Sequence, residues 1–453
     1  MKRFLTVLAA MMLVLGFAAG ALAIHAEIPS ETQAIVTKGT TQVTLGGEIR
    51  MRGWYIKNSS ADYRGTATPS DNNSQGWYDS RVRLSLKADV SKNTTGFLHL
   101  ETDDGTAGTA NGTSSGDGPR WGLNNNKSAS SLKFLEAWIL HKGNGLLGIP
   151  AGIKVGHMPL ALGNKQFFDH TKYGSDAIVV FADPTKDLHV GLLTIQLAED
   201  SEANKTDGAG TGDTTAYVGL ATYKVAKNAN VGINYTLINN GQTAANQKYD
   251  FQNLGIHGDG KINNFGWMFE YDTQFGNSSN TAKFKGSGLL LGASYAINPV
   301  TLRAQYASGS GEDNDGNTTK EFQTFLGNDV HYTFIYEYTT RGADDGSARA
   351  TGISNTTYYR LGADATLTKD LKASIDVFEL KMTKANTAAA SKKIGREYDV
   401  KLTYQVDKNL VYFITAGILD PGLAWEQNAS LGSVTNANNK SITQAVHGIT
   451  LSF

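Results

Sequence analysis

The chain closes on an alternating run, His447-Gly448-Ile449-Thr450-Leu451-Ser452-Phe453. Ile449, Leu451 and Phe453 fall on one face, and Gly448, Thr450 and Ser452 fall on the other. A period of two is that of a β-strand, here with one apolar and one polar side. The apolar side needs a partner other than water. A second sheet would supply one, and lipid would supply another.

The opposite terminus reads as a secretory signal. Lys2 and Arg3 precede an apolar stretch from Phe4 to Ala19, and Ala21-Leu22-Ala23 carries small residues where a signal peptidase reads. Cleavage after Ala23 is therefore expected, with residues 24–40 a polar lead-in and 41–453 a single β-domain. No other segment approaches ~18 consecutive apolar residues, which excludes helical membrane spans. The exported chain has no cysteine, so no disulfide framework supports it. Its 50 glycines and 8 prolines suit many strands joined by polar turns. A formal charge of −1 implies no nucleic-acid partner, and nine scattered histidines show no metal-ligand spacing. No cofactor is expected.

Alternation continues upstream. In Val43–Tyr55, the residues Val43, Leu45, Ile49, Met51 and Tyr55 oppose Glu48, Arg50 and Arg52. In Arg81–Val90, the residues Val82, Leu84, Leu86, Ala88 and Val90 oppose Arg81, Arg83, Ser85, Lys87 and Asp89. Similar runs recur to the C-terminus and give 18 strands, or 16 if the short Asp176–Ala182 and a neighbour belong to a loop. Leu371–Thr383 changes phase near Val377-Phe378, which predicts a bulge. Connections alternate in length. Ser91–Asn93, Ala226–Asn228, Gly260–Ile262 and Asp407–Asn409 are short; Lys57–Gly76, Asp104–Leu132, Gly309–Gly352 and Asp420–Lys440 are long. Outer-membrane barrels have short periplasmic turns and longer extracellular loops. Tyr55 and Tyr78 meet at one rim of the apolar face. With Phe453 they form a candidate aromatic girdle at the membrane interface.

Gly47-Glu48-Ile49-Arg50-Met51-Arg52, Arg81 to Val90, Leu135-Glu136-Ala137-Trp138 and Ile153-Lys154-Val155-Gly156-His157 resemble Gram-negative outer-membrane porins. Within them the chain is similar to the alginate-export barrels. The resemblance implies an all-β, transmembrane, antiparallel up-and-down barrel. It implies a water-filled channel for passive diffusion of small hydrophilic solutes or ions. The implied partners are outer-membrane lipid and the assembly machinery that reads the C-terminal strand. In that family an arginine-rich lumen selects acidic polysaccharide, a pattern this chain matches in part. Export of such a polymer is one alternative function, and a sheath around an electron-transfer partner is another. Porins of this size are often homotrimers, whereas alginate-export barrels are monomers, so both states stay open.

Parity nominates the lumen. Glu48, Arg50, Arg52, Arg81, Arg83, Lys87, Asp89, Arg303, Arg360, Asp364 and Asp399 are the candidate pore-lining residues, with Glu101 and Asp376 among the carboxylates expected to oppose the cations from elsewhere on the wall. A basic wall would favour small anions. The plainer expectation is that alternating charges pair and keep the wall wet. The longest connection, Gly309–Gly352, is too apolar to lie free in water, so it is expected to fold inward and narrow the barrel. Phe322, Phe325, Tyr332 and Tyr336 are its constriction candidates, with an extracellular cap as the rival arrangement. Lys165, His170 and Lys172 in Pro159–Gly174 form a second candidate throat. His447 faces lipid without a nucleophile motif beside it, and no enzyme is expected.

Overall fold

The computed structural model of the protein describes residues 34–38, 41–58, 74–103, 131–145, 148–198, 213–240, 249–279, 282–312, 317–326, 332–337, 351–385, 391–424 and 440–453. The expected signal segment, 1–23, lies outside the described residues. Eighteen strands form the wall: β1 (Thr41–Lys57), β2 (Ser74–Ser91), β3 (Thr94–Asp103), β4 (Ser131–Asn144), β5 (Pro150–Met158) and β6 (Ser175–Thr185) come first. Next are β7 (Leu188–Ala198), β8 (Thr214–Ala226), β9 (Ala229–Asn240), β10 (Tyr249–Ile262), β11 (Phe265–Asn277) and β12 (Ser287–Ile297). The circuit ends with β13 (Val300–Gly309), β14 (Thr356–Thr366), β15 (Leu371–Met382), β16 (Lys393–Asp407), β17 (Leu410–Pro421) and β18 (Ile442–Ser452).

Each strand pairs antiparallel with its sequence neighbours, and β18 closes on β1 from Glu48 opposite Ser452 to Lys57 opposite Thr443. Closure leaves no unpaired sheet margin, the condition for placing a β-structure in lipid. The start of β1 lies beyond the reach of β18. There Ala34–Lys38 folds back along it, Ala34 opposite Leu45 and Lys38 opposite Thr41, and supplies the missing hydrogen bonds. This part of the expected lead-in is thus a strand.

The short run that left 16 strands open is β6, paired along both sides with β5 and β7. Two other expectations are corrected. Gly260, Lys261 and Ile262 stay in β10, and the chain reverses at Asn263-Asn264, where Asn263 takes a left-handed φ of 53°. Asparagine tolerates that conformation better than most residues, and Asn-rich pairs favour tight hairpins. Nor is there a bulge at Val377-Phe378. The register of β15 against β14 runs unbroken. Phe378, Leu380 and Met382 are inward-facing apolar residues, buried against chain that fills the barrel.

The outward face is aliphatic. Leu192 is 68% exposed and Leu361 67%, which rules out a second layer packed over them. Aromatic rings flank this band. Tyr223, Tyr295, Tyr404 and Phe453 lie toward the short-turn end, and Tyr55, Tyr78, Tyr217 and Tyr359 toward the loop end. This is the outside of a membrane barrel.

The seam is tight at Gly47. Its N–H donates to the Phe453 carbonyl at 2.7 Å, and the Phe453 N–H donates back at 3.0 Å. A Cβ on Gly47 would lie 2.6 Å from the Phe453 ring and 2.8 Å from the Arg83 carbonyl. Gly47→Val should therefore destabilise the barrel by about 1–3 kcal/mol, the usual cost of overpacking. Gly96→Ala, at a position with nothing within 4 Å, should be silent. Urea unfolding of the refolded variants compares them; equal stabilities would contradict the seam packing.

Candidate functional site

Strand parity turns every second residue of the wall inward, and on β1–β3 these inward positions hold a dense group of charges. Register puts Glu48 opposite Arg83, Arg50 opposite Arg81, and Arg83 opposite Glu101. The side chains meet accordingly. Arg81 contacts Glu48 at 2.5 Å and Glu101 at 3.5 Å, and Arg83 contacts Glu101 at 2.5 Å. Arg52 grips Asp79 with two hydrogen bonds of 2.9 and 2.8 Å, and Trp54 Nε1 donates to the same carboxylate at 2.7 Å. Lys87 and Asp89 pair at 2.9 Å nearer the short-turn end.

A second cluster spans β13–β16. Arg303 contacts Asp364 at 2.7 Å and Asp376 at 3.2 Å, and Arg360 contacts Asp376 at 2.8 Å. Lys401 shares this inward face. The carboxylates expected to oppose the arginines from elsewhere on the wall stand beside them instead. Neighbouring strands bring opposite charges into cross-strand contact, and the Coulomb term favours the short separation.

Two connections turn into the cylinder. Phe168–Asp169 lies parallel beside Phe325–Leu326, and the Phe325 N–H donates to the Phe167 carbonyl at 2.8 Å. Phe167 and Phe325 pack on Phe251, an inward residue of β10, at ring distances of 5.8 and 5.5 Å. Phe322 is buried over Gly288 of β12. Gln274 of β11 exchanges two hydrogen bonds with the Gln323 backbone, 2.8 and 2.7 Å.

Further along, the Phe334 N–H donates to Asp399 at 3.1 Å and the Tyr336 N–H to Glu397 at 2.9 Å. Phe334 stacks on Trp54 at 6.4 Å, and Tyr332 on Tyr358 at 4.6 Å. All these wall partners face inward. Asp399 therefore serves as an anchor beneath the inner chain.

The remaining nominees of the second throat divide. His170 is buried, stacked on Phe168 at 4.4 Å and hydrogen-bonded to Ser175 at 2.6 Å. Lys165 is half exposed, paired with Asp169 at 3.2 Å. Lys172 lies over the Tyr173 ring at 5.1 Å.

Asp79, Trp54, Glu270, Asp272, Gln274 and Glu397 belong to the site but were not nominated. Parity alone would have found them: Asp79 is two residues before Arg81, and Glu397 two before Asp399. Attention to cationic runs passed over them.

A family model for alginate export matches residues 41–432. No curated protein matches the chain. Among solved structures, Pseudomonas aeruginosa OccK5 (OpdH) is similar at 11% identity and a TM-score of 0.52, over 90% of this chain and 98% of that one. OccD1 (OprD) gives 10% identity and a TM-score of 0.54, over 96% and 99%. Pseudomonas aeruginosa OpdK with vanillate gives 9% and 0.52, over 90% and 98%. At these identities the likeness is one of fold.

Proposed function

Because the chain belongs to the alginate export family of outer-membrane β-barrels, we propose that it is a channel through which small hydrophilic solutes diffuse, with a preference for anions. The observation that carries this reading is the inner ionic belt inside an aliphatic exterior. Diffusion through a wet bore needs no catalytic group. In the first cluster four cations (Arg50, Arg52, Arg81, Arg83) meet three carboxylates (Glu48, Asp79, Glu101). In the second, three cations (Arg303, Arg360, Lys401) meet Asp364 and Asp376, with Asp399 opposite Asp376. Cations gathered on the inner face of a low-dielectric wall focus their field into the bore. Lys154, lying over Trp138 at 4.0 Å, is a further inward cation, with Glu136 beside it.

Planar-bilayer recording in a salt gradient tests this. The wild-type reversal potential should report anion preference. Lys154→Glu combined with Lys401→Glu removes two positive charges and adds two negative ones, and should move the potential to the cation-preferring sign. A protein that inserts but carries no current would overturn the channel reading. An unmoved reversal potential in the variant would remove the role given to these lysines.

Family membership favours one second reading, export of an acidic polysaccharide. Its arginines would have to bind a polymer, yet they already bind neighbouring carboxylates. Block of the current by a soluble polyuronate at micromolar concentration would favour it. The sheath reading is disfavoured by the inward-folded chain, which a threaded protein would have to displace. Export through a signal cleaved after Ala23, and recognition of the Phe453 strand by the assembly machinery, complete the proposal.

A further inference from the structure

Away from the two ionic clusters, the inner wall of β9–β11 holds an acidic pair with no counter-ion. Glu270 and Asp272 are each 1% exposed and lie two residues apart on one face of β11. Neither has an ion-pair partner among the described residues. Glu270 accepts the Asn164 N–H, and Asp272 Oδ1 accepts a hydrogen bond from Asn253 Nδ2 at 2.8 Å. Asn234 Oδ1 has no partner, although Asn234 is only 2% exposed, and Asp272 Oδ2 has none beyond the neighbouring Glu270 carboxyl. Buried charge without compensation is costly, and so is a buried acceptor left without a donor.

Asp272 Oδ1 and the Asn234 amide meet over one glycine. Asn234 and Asp272 flank Gly255 in register, on the strands either side of it. A Cβ on Gly255 would stand 2.6 Å from Asp272 Oδ1 and 3.0 Å from Asn234 Oδ1. The glycine keeps open the space the two side chains lean over. Gly163, on the inward-folded segment, takes a left-handed φ of 55° and would place a Cβ 2.7 Å from Glu270 Oε1. His257, opposite Glu270 in register, leans the other way, over Gly232.

We propose that Asn234, Glu270 and Asp272 bind a hard divalent cation of the calcium type, seated between the barrel wall and residues 162–164. The donors are all oxygen, with no sulfur and no imidazole turned toward them, which selects calcium over the softer transition metals. Two carboxylates neutralise the double charge, the amide oxygen adds a third donor, and water or backbone oxygens complete the shell. The ion answers the unpartnered oxygens and ties Glu270, already holding Asn164, more firmly to the wall. The inference does not depend on what the channel carries.

The test uses the full barrel, refolded in detergent without lipopolysaccharide and stripped with EGTA. Equilibrium dialysis with CaCl2 should give about one bound Ca2+ per chain. Added Ca2+ should raise the thermal unfolding midpoint, and EGTA should reverse the rise. Asp272→Asn with Glu270→Gln keeps the shapes and should abolish both effects. Asn234→Ala keeps both carboxylates and should weaken binding roughly tenfold or more. It stands in if the double variant does not refold. A wild-type barrel that binds no Ca2+ overturns the proposal. So does binding that survives in the double variant unchanged.

Discussion

Excision of residues 322–337, with a short Gly-Ser linker in their place, raises single-channel conductance severalfold. A current is limited by the narrowest section of its path, and residues 322–326 and 332–337 occupy the inside of the cylinder. Phe322, Phe325, Tyr332 and Tyr336 are buried there, held to β10, β11, β14 and β16. The wall should survive the excision, because its hydrogen bonds run between wall strands. A milder variant, Glu397→Ala with Asp399→Ala, removes the acceptors of the Phe334, Ile335 and Tyr336 amides and keeps the chain length. It should give larger and noisier openings. Unchanged conductance in a properly inserted excision variant would deny these residues any part in narrowing the bore.

The largest stability effect is expected at Asp79. Its side chain is fully buried and takes three hydrogen bonds, two from Arg52 and one from Trp54. Asp79→Ala takes all three of these bonds from a buried guanidinium and an indole N–H, a loss of about 3–5 kcal/mol. Asp79→Asn keeps one acceptor oxygen and should cost less. Urea unfolding of the refolded barrel measures both. A loss below about 1 kcal/mol would place the pair with solvent-screened surface bridges.

The wall was legible in the sequence because lipid imposes a strict rule. Every second residue must be apolar, so Val82, Leu84, Leu86 and Ala88 announce their strand without any tertiary knowledge. Turns were legible because the chain reverses at polar pairs such as Lys92-Asn93 and Lys408-Asn409. The reading weakened where the inner face is not polar. Ile56, Ile195, Ile238, Phe251, Phe378 and Leu380 face inward yet are buried and apolar. Phe251, for one, packs on Phe167 and Phe325 of distant connections, and alternation within one strand carries no information about such partners. Hence the phase change in β15 read as a bulge. The charged residues of the lumen were legible as a set, but their pairing was not. Pairing depends on register between strands, which puts Glu48 opposite Arg83 and leaves Arg50 opposite Arg81.

The parallel contact between Phe168–Asp169 and Phe325–Leu326 joins stretches far apart in the chain. Wall pairing proceeds mostly between consecutive hairpins, and two strand pairings described above reach much further: this inner link and the seam, where Glu48 lies opposite Ser452. Loop-closure entropy weighs on both, and most on the seam. These two far-reaching pairings thus carry the heaviest entropic cost among the strand contacts, one closing the molecule's circumference and the other bracing its interior.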